Sequence, residues 1–355
     1  MAILNPFQPF PEQEENSEAS PVLVFSKGRL RKVKLLLLSL LITTTILGCH
    51  SMTIHKTFTP KTSQVDCQIV EHAMGKSCIS NNPKRIVTVQ SPFLGHLFAL
   101  DIKPIGSTSQ LGVEQEELTA KYLSNKTFLG NKTVGIEHIG RTRSPNLEKL
   151  LQLKPDLILA WDQASTIYPL LSQISPTVVV SSSYITPNWK ENFNFIAKVL
   201  KKEAAAQQAL NHYYQRIEKL KIALGDRYKG KTISVGGGSN LMFTYAKNSF
   251  IGTILDDIGL QRPNPQNVIT RNGGIYNISE EKLEEVDGDV FFFLGFSNGD
   301  KEAFEKLQQK PLWKKLKLAQ QRQVYFVDGF TWVGGNLLAA DAVLDDLEKY
   351  LVNTP

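Results

Sequence analysis

From residue 83 onward the chain alternates between apolar runs of strand length and stretches whose apolar positions recur every three to four residues. A run of four to eight apolar residues suits a strand buried on both faces, and the wider recurrence suits one face of a helix. RIVTV (85–89) reads as a strand and FLGHLFAL (93–100) as a short helix. LEKLLQL (147–153) reads as a helix, DLILAW (156–161) as a strand, 167–174 as a helix and TVVVS (177–181) as a strand. This alternation predicts an α/β domain with a mostly parallel sheet.

The rhythm stops at 191–224, where 34 residues pass without proline or glycine. Apolar positions at 193, 196, 197, 200, 204, 210, 213, 217, 220 and 224 mostly keep a helical period. They predict one helix up to about 50 Å long. The alternation then resumes with TISVG (232–236), a helix at 250–258, DVFFFLG (289–295), a helix around 301–308 and QVYFVD (323–328). The halves also echo each other. LEKLLQLKPDLILAW and SEEKLEEVDGDVFFFLGF share a short helix, a turn, an aspartate and an apolar strand. Glu148 precedes Asp156 by eight residues, as Glu281 precedes Asp289. The pattern predicts two similar α/β lobes with central mostly parallel sheets, 66–190 and 229–355, joined by one long backbone helix within 191–228.

The amino-terminal region follows other rules. After a polar, proline-bearing stretch come the basic block KGRLRKVK (27–34), the apolar LLLLSLLITTTIL (35–47) and then Gly48-Cys49. A basic block, a short apolar core and a small residue before the break form the pattern of an export signal. Its thirteen apolar or near-apolar residues would span about 20 Å as a helix, short of a bilayer core of about 30 Å. ILGC resembles the lipobox of bacterial lipoproteins, in which the cysteine is lipidated after cleavage. That cysteine would be Cys49, with 1–48 removed and 49–65 left as a polar tether. An exported, lipid-anchored protein facing the periplasm is expected, with an uncleaved or ordinarily cleaved signal as the alternative.

Export changes the reading of the other two cysteines. Cys67 and Cys78, with ten residues between them and a Gly-Lys turn in the middle, suit a disulfide closing a hairpin in an oxidising compartment. Two buried free thiols are the alternative. Charge is mixed, 40 basic against 34 acidic residues for a net +6. Without a Lys/Arg stripe interleaved with aromatics, nucleic acid is not an expected partner.

Enzyme motifs are few. GFSNG (295–299) follows an apolar strand as a nucleophile elbow would, but all six histidines precede Ser297. An α/β-hydrolase takes its general base from a histidine later in the chain, so an esterase is the less favoured reading. GGGSN (236–240) has Leu241 where a dinucleotide fingerprint needs its third glycine. It reads either as a strand end where backbone approaches a ligand or as a plain turn. No H-E-x-x-H, C-x-x-C or acidic calcium loop occurs, so no metal site or cofactor is expected. His96, amid apolar residues, reads as a core histidine.

RTRSPNLEKL (141–150) carries the most distinctive polar chemistry. Ser144 suits a helix cap and Pro145 the first helical position. Arg141 and Arg143 would then flank a helix amino terminus, where free N–H groups already favour anions. Guanidinium groups there suit carboxylates or similar oxyanions. Two solvated loop arginines are the alternative.

With these residues in place, residues 66–350 resemble the class III periplasmic substrate-binding proteins of iron–siderophore ABC transporters, and among them the ferric-dicitrate and ferric-hydroxamate binding lipoproteins. The resemblance rests on PKRIVTV with LDIKPIGS, on IGRTRSPNLEKLLQLKPDLILAW and on LLSQISPTVVV. FIGTILDDIGLQRP, ISEEKL with its DVFFF strand, PLWKKLKLAQQRQVYFVD and TWVGG with LDDL complete it in order. It implies two lobes bridged by a long helix, a ligand cleft between them and a monomer. It also implies no cofactor, the ligand being an Fe(III)–siderophore complex passed to an ABC permease. A basic residue before PNLE contacts the chelate in this family, which implicates Arg141, Thr142 and Arg143. Cleft aromatics correspond to Trp332 and, beyond it, Trp161 and Tyr276. Where relatives often carry a basic residue after the strand at 232–235 this chain has GGGSN, and Arg271 is the candidate replacement. Docking acids, one per lobe, correspond to Glu148 and Glu281, with Glu280 a near-equivalent choice. A cobalamin- or haem-binding protein of the same fold is the alternative.

Overall fold

The structure is a computed structural model that describes residues 67–90, 92–109, 129–181, 189–238, 241–271 and 273–353. The export signal, Cys49 and the tether lie outside these residues. The described chain falls in one compact unit, Asp66–Pro355.

It opens with the antiparallel hairpin β1 (Cys67–His72) and β2 (Gly75–Ser80), with the turn at Ala73-Met74 rather than at Gly-Lys. A disulfide joins Cys67 to Cys78 with their Cα atoms 5.5 Å apart. Next come β3 (Ile86–Val89), helix α1 (Phe93–Ala99), β4 (Gly106–Ser109), β5 (Glu137–Arg141), β6 (Ser144–Pro145), α2 (Leu147–Leu153), β7 (Leu157–Trp161), α3 (Tyr168–Ile174) and β8 (Thr177–Val180). These strands form a six-stranded sheet of order β6-β5-β4-β3-β7-β8, parallel except for β6. The β1–β2 hairpin lies against the outer strand β8, with Ser77 Oγ donating to the Thr177 carbonyl at 2.7 Å and Ala73 N to the Val179 carbonyl at 3.1 Å. An otherwise open sheet edge is thereby covered.

The stretch at 191–224 is two helices, α4 (Trp189–Val199) and α5 (Glu203–Leu224), rather than one. Lys201 adopts a left-handed backbone (φ 54) and Lys202 N closes back on the Ala197 carbonyl at 2.8 Å. The reason is phase. Buried positions run 193, 196, 197 and then 206, 210, 213, 217, 220, 224, while Ala204, at the next in-phase position, is exposed. One straight helix could not bury both stripes. The 22-residue α5 therefore spans about 33 Å.

Beyond α5 lie β9 (Ile233–Gly238), β10 (Met242–Tyr245), α6 (Phe250–Ile258), β11 (Gly274–Ile278), β12 (Val290–Gly295), α7 (Asn298–Gln309), β13 (Val324–Asp328) and α8 (Leu337–Leu347). The second sheet has order β11-β10-β9-β12-β13, with β9, β12 and β13 parallel and β10 reversed.

Both sheets face one shared core. Along β7, Leu157, Leu159 and Trp161 point into it while Ile158 and Ala160 belong to a separate outer cluster. Along β12, Val290, Phe292 and Leu294 point inward while Phe291 and Phe293 pack outside with Phe304 and Trp313. Period-two alternation within continuous apolar runs is what a sheet covered on both faces requires. Helix α8, late in the second half, crosses back to pack on α1, α4 and α5. A Cβ at Gly95 of α1 would lie 1.9 Å from Asn336 Oδ1, so only glycine admits the side chain that caps α8. His96, 1% exposed and stacked on Phe193 at 5.3 Å, fills the same seam. Its burial lowers the imidazole to about 3, so it is neutral there. Polar struts complete the junction. Trp189 Nε1 donates to Thr253 Oγ1 at 3.2 Å, and Asp257 Oδ2 receives Lys190 Nζ at 2.5 Å and the Tyr213 hydroxyl at 2.6 Å.

Candidate functional site

In open parallel sheets, ligands bind beyond the carboxyl ends of the strands. In the first sheet that edge is defined by Gln90 after β3, Ser109 opposite Arg141, and Trp161 opposite Val180. The two arginines stand on this edge, but not at a helix start. Ser144-Pro145 is strand β6, pairing back onto Gly140-Arg141, so Thr142-Arg143 is the two-residue tip of a hairpin. The helix cap is Asn146, whose side chain accepts from Lys149 N at 2.9 Å. Helix-dipole attraction therefore does not operate at the arginines; the hairpin itself presents them. Gly140, at φ +86, lets the hairpin close, since a Cβ would meet Asn146 N at 3.1 Å.

Exposure alternates at the tip. Arg141 and Arg143 are exposed, while Thr142 is 2% exposed. Thr142 Oγ1 donates to Gln90 Oε1 at 2.8 Å and lies 3.1 Å from Thr108 Oγ1. Thr88 Oγ1 donates to Ser107 Oγ at 2.9 Å alongside, making a buried polar seam across β3 and β4. Thr142 was expected among the ligand contacts; it is instead an internal tie, because its hydroxyl is engaged beneath the surface. Gln90 and Thr108 escaped the sequence reading; for Gln90 the available signal was a polar residue directly after the apolar strand IVTV, whereas Thr108 lies within the polar strand GSTS.

The second sheet presents aromatics at its carboxyl edge. Phe296 follows β12, Phe330 follows β13, and Phe243 lies on β10 opposite Gly237. All are half-buried, as is Tyr276 of β11. Ring centroids are 6.3 Å apart for Phe243–Phe296, 5.2 Å for Phe296–Phe330 and 6.5 Å for Phe243–Tyr276. Burial pushes the Tyr276 hydroxyl up to about 12, so it is a neutral donor. The glycines of 236–238 serve this packing. A Cβ at Gly237 would meet the Phe243 ring at 2.8 Å and the Leu294 carbonyl at 2.9 Å. Of the anticipated aromatics, then, Tyr276 belongs to the edge group. Trp332 and Trp161 do not offer ring faces to a ligand. Trp332 is 0% exposed, packed on Phe292 at 4.5 Å with Nε1 donating to Asp346 at 2.8 Å. Trp161 is 3% exposed, edge-on to Phe93 at 5.4 Å.

Arg271 is exposed but stands at the wrong end of its ladder. It precedes Gly274, which pairs with Tyr245, whereas Met242 at the other end of β10 pairs with Gly238 at the carboxyl end of β9. The adjoining Thr270 is clasped there by Asn248, through 2.7 and 3.1 Å bonds.

The internal echo has a structural counterpart. Asp156 accepts from Lys84 N and Arg85 N at 2.7 and 2.8 Å at the start of β3, and Asp289 accepts from Thr232 N at 2.8 Å at the start of β9. Eight residues earlier, Glu148 and Glu281 each stand two residues beyond a cap, Asn146 and Ser279, and both are exposed. A hydrogen bond from Ser279 chiefly lowers the Glu281 carboxyl, keeping it ionised. Glu280 differs, being paired with Lys310 at 2.7 Å. Ser297 caps α7 in a reciprocal box with Asp300, whose carboxylate accepts from Phe296 N and Ser297 N at 2.7 and 2.8 Å. Among the described residues no cluster of three or more His, Cys, Asp or Glu is placed to hold a metal, and no helix is long and apolar enough to cross a membrane.

Two lobes with functional groups at their strand ends fit a binding architecture, and residues 111–329 match the periplasmic binding protein family. The chain belongs to that family. This periplasmic binding protein is 32% identical over 300 residues to the probable siderophore-binding lipoprotein YfiY of Bacillus subtilis, covering 80% of this chain and 88% of that protein. It is 27% identical over 311 residues to the Fe(3+)-citrate-binding protein YfmC of the same organism, covering 87% and 92%. Among solved structures it is similar to Staphylococcus aureus SirA complexed with staphyloferrin B, with a TM-score of 0.68, 25% identity and coverage of 80% and 98%.

Proposed function

We propose that this periplasmic binding protein captures a ferric siderophore of the citrate or hydroxamate type in the cleft between its lobes and delivers it to an ABC permease for iron uptake. The observation that carries the reading is the hairpin tip, where two exposed guanidinium groups flank a buried tie at a sheet's carboxyl edge. Arginine forks suit the carboxylate or hydroxamate oxygens of an anionic chelate. The half-buried group of Phe243, Tyr276, Phe296 and Phe330 would contact its organic frame. Iron arrives already wrapped, as cargo, so the protein need supply no metal ligand. The names of the relatives, a siderophore-binding lipoprotein and an Fe(3+)-citrate-binding protein, support the same ligand class. Under this reading Cys49 carries the lipid anchor, and Glu148 and Glu281 meet the permease, one from each lobe.

Fluorescence titration of the purified protein with ferric citrate, a ferric hydroxamate, cobalamin and haem tests it. Saturable quenching by an iron chelate at micromolar concentration or below is expected. It should weaken roughly 10- to 100-fold on Arg141→Gln or Arg143→Gln, the range for one charged hydrogen bond of about 1.5–3 kcal/mol. Saturation by cobalamin or haem alone would overturn the reading.

A further inference from the structure

We infer that Thr142 is a positioning residue whose hydroxyl, bonded to Gln90 and Thr108, sets the two arginines in the geometry that the ligand meets. The inference rests on the proposed chelate site and deepens it. A threonine hydroxyl has one proton, and at Thr142 that proton goes to Gln90 Oε1 at 2.8 Å. At the 3.1 Å contact with Thr108 Oγ1 the donor must therefore be Thr108. Thr142 thus gives one bond to the end of β3 and takes one from the end of β4, and both partners are fully buried. A two-residue tip held on both sides by buried bonds cannot roll about the hairpin axis. Arg141 and Arg143, its immediate neighbours, then project from a fixed base. Binding needs both forks aimed at once, and a base that wobbles loses affinity with every contact intact.

The arrangement also explains the residue type. Valine would match threonine in shape but lose both bonds and strand the Thr108 proton. Serine would keep both.

The test uses purified protein and ferric citrate as probe, with Thr142→Val, Thr142→Ser and Thr108→Val, each made in the parent and in an Arg141→Gln/Arg143→Gln background. Thr142→Val should raise the Kd about 5- to 20-fold in the parent, Thr142→Ser less than 2-fold, and Thr108→Val by an intermediate factor. In the arginine-free background Thr142→Val should change the Kd less than 2-fold, since nothing remains to be aimed. In ligand-free protein, amide exchange over residues 140–145 should quicken at least tenfold in Thr142→Val and not in Thr142→Ser. Equal weakening in both backgrounds would overturn the inference, as would unchanged exchange. Should Thr142→Val not fold, Thr108→Val carries the same two readings. Tight citrate binding by the arginine-free protein would instead refute the chelate site itself, which the exchange measurement distinguishes from failure of the tie.

Discussion

Replacing Asp257 should loosen the junction between the lobes more than any surface charge could. One oxygen, Oδ2, accepts from both Lys190 Nζ at 2.5 Å and the Tyr213 hydroxyl at 2.6 Å. Tyr213 is 0% exposed, and burial together with the Asp257 carboxylate pushes its hydroxyl well above the usual range, so it always needs an acceptor. Both charged side chains of the pair are about one-fifth exposed. Breaking a buried pair costs about 3–5 kcal/mol, and a stranded buried hydroxyl about 1–3 kcal/mol. Two terms reduce the total. The residual exposure lets water reach Lys190, and that ammonium sits 5.0–5.4 Å from the Trp189, Tyr213 and Tyr214 rings, an attraction of about 0.5–1 kcal/mol that survives the substitution. We expect Asp257→Ala to lower stability by about 3 kcal/mol and Asp257→Asn, which keeps an acceptor for Tyr213, by about 1.5 kcal/mol. Urea unfolding measures both, with an unchanged m-value confirming that the native state stays compact. A loss under 1 kcal/mol for Asp257→Ala would refute the argument that this oxygen ties the lobes.

Three further predictions follow from the same geometry. His96 is neutral in the fold at about 3 against 6.5 unfolded, so its stabilising contribution is complete above pH 6.5 and falls by about 1.4 kcal/mol per pH unit below it. Unfolding at pH 7 and pH 5 should show a loss of about 2 kcal/mol that His96→Gln removes; an identical pH slope in the variant would contradict it. Reducing Cys67–Cys78, which closes a separation of 11 residues, should cost about 3 kcal/mol, read as a lower urea midpoint in dithiothreitol and absent in Cys67→Ser/Cys78→Ser. Glu148→Arg or Glu281→Arg should abolish iron uptake by cells at unchanged protein level, while Glu280→Ala, which breaks the Lys310 pair, should retain it.

Strands β3, β7, β8, β9, β12 and β13 were legible because they are apolar runs, and the paired aspartates because their spacing repeats, whereas β4 (GSTS) and β5 (EHIGR) carry no such run. What escaped was set by contacts across the chain. Nothing local in VLKKE announces that Lys201 turns left-handed, since the break exists to bring two apolar stripes onto one core. Ser144-Pro145 carries helix-start chemistry, yet tertiary pairing with Gly140-Arg141 makes it a strand. Trp332 was picked out by the family resemblance as a cleft aromatic, but its contacts with Phe292 and Asp346 turn it inward. Conversely, Phe296 and Phe330 were not singled out in the sequence, yet they stand half-buried just beyond β12 and β13.

The return of α8 to α1 sets a timetable for the nascent chain. Phe93, Leu94 and Leu97, fully buried in the finished protein, precede Leu337–Leu347 by about 240 residues. At about 5–20 residues per second, the first helix waits on the order of 12–50 s for its cover. During that interval the face of α1 that α8 will cover has no partner from the second half. Whatever shields that face in the meantime must leave before α8 can dock.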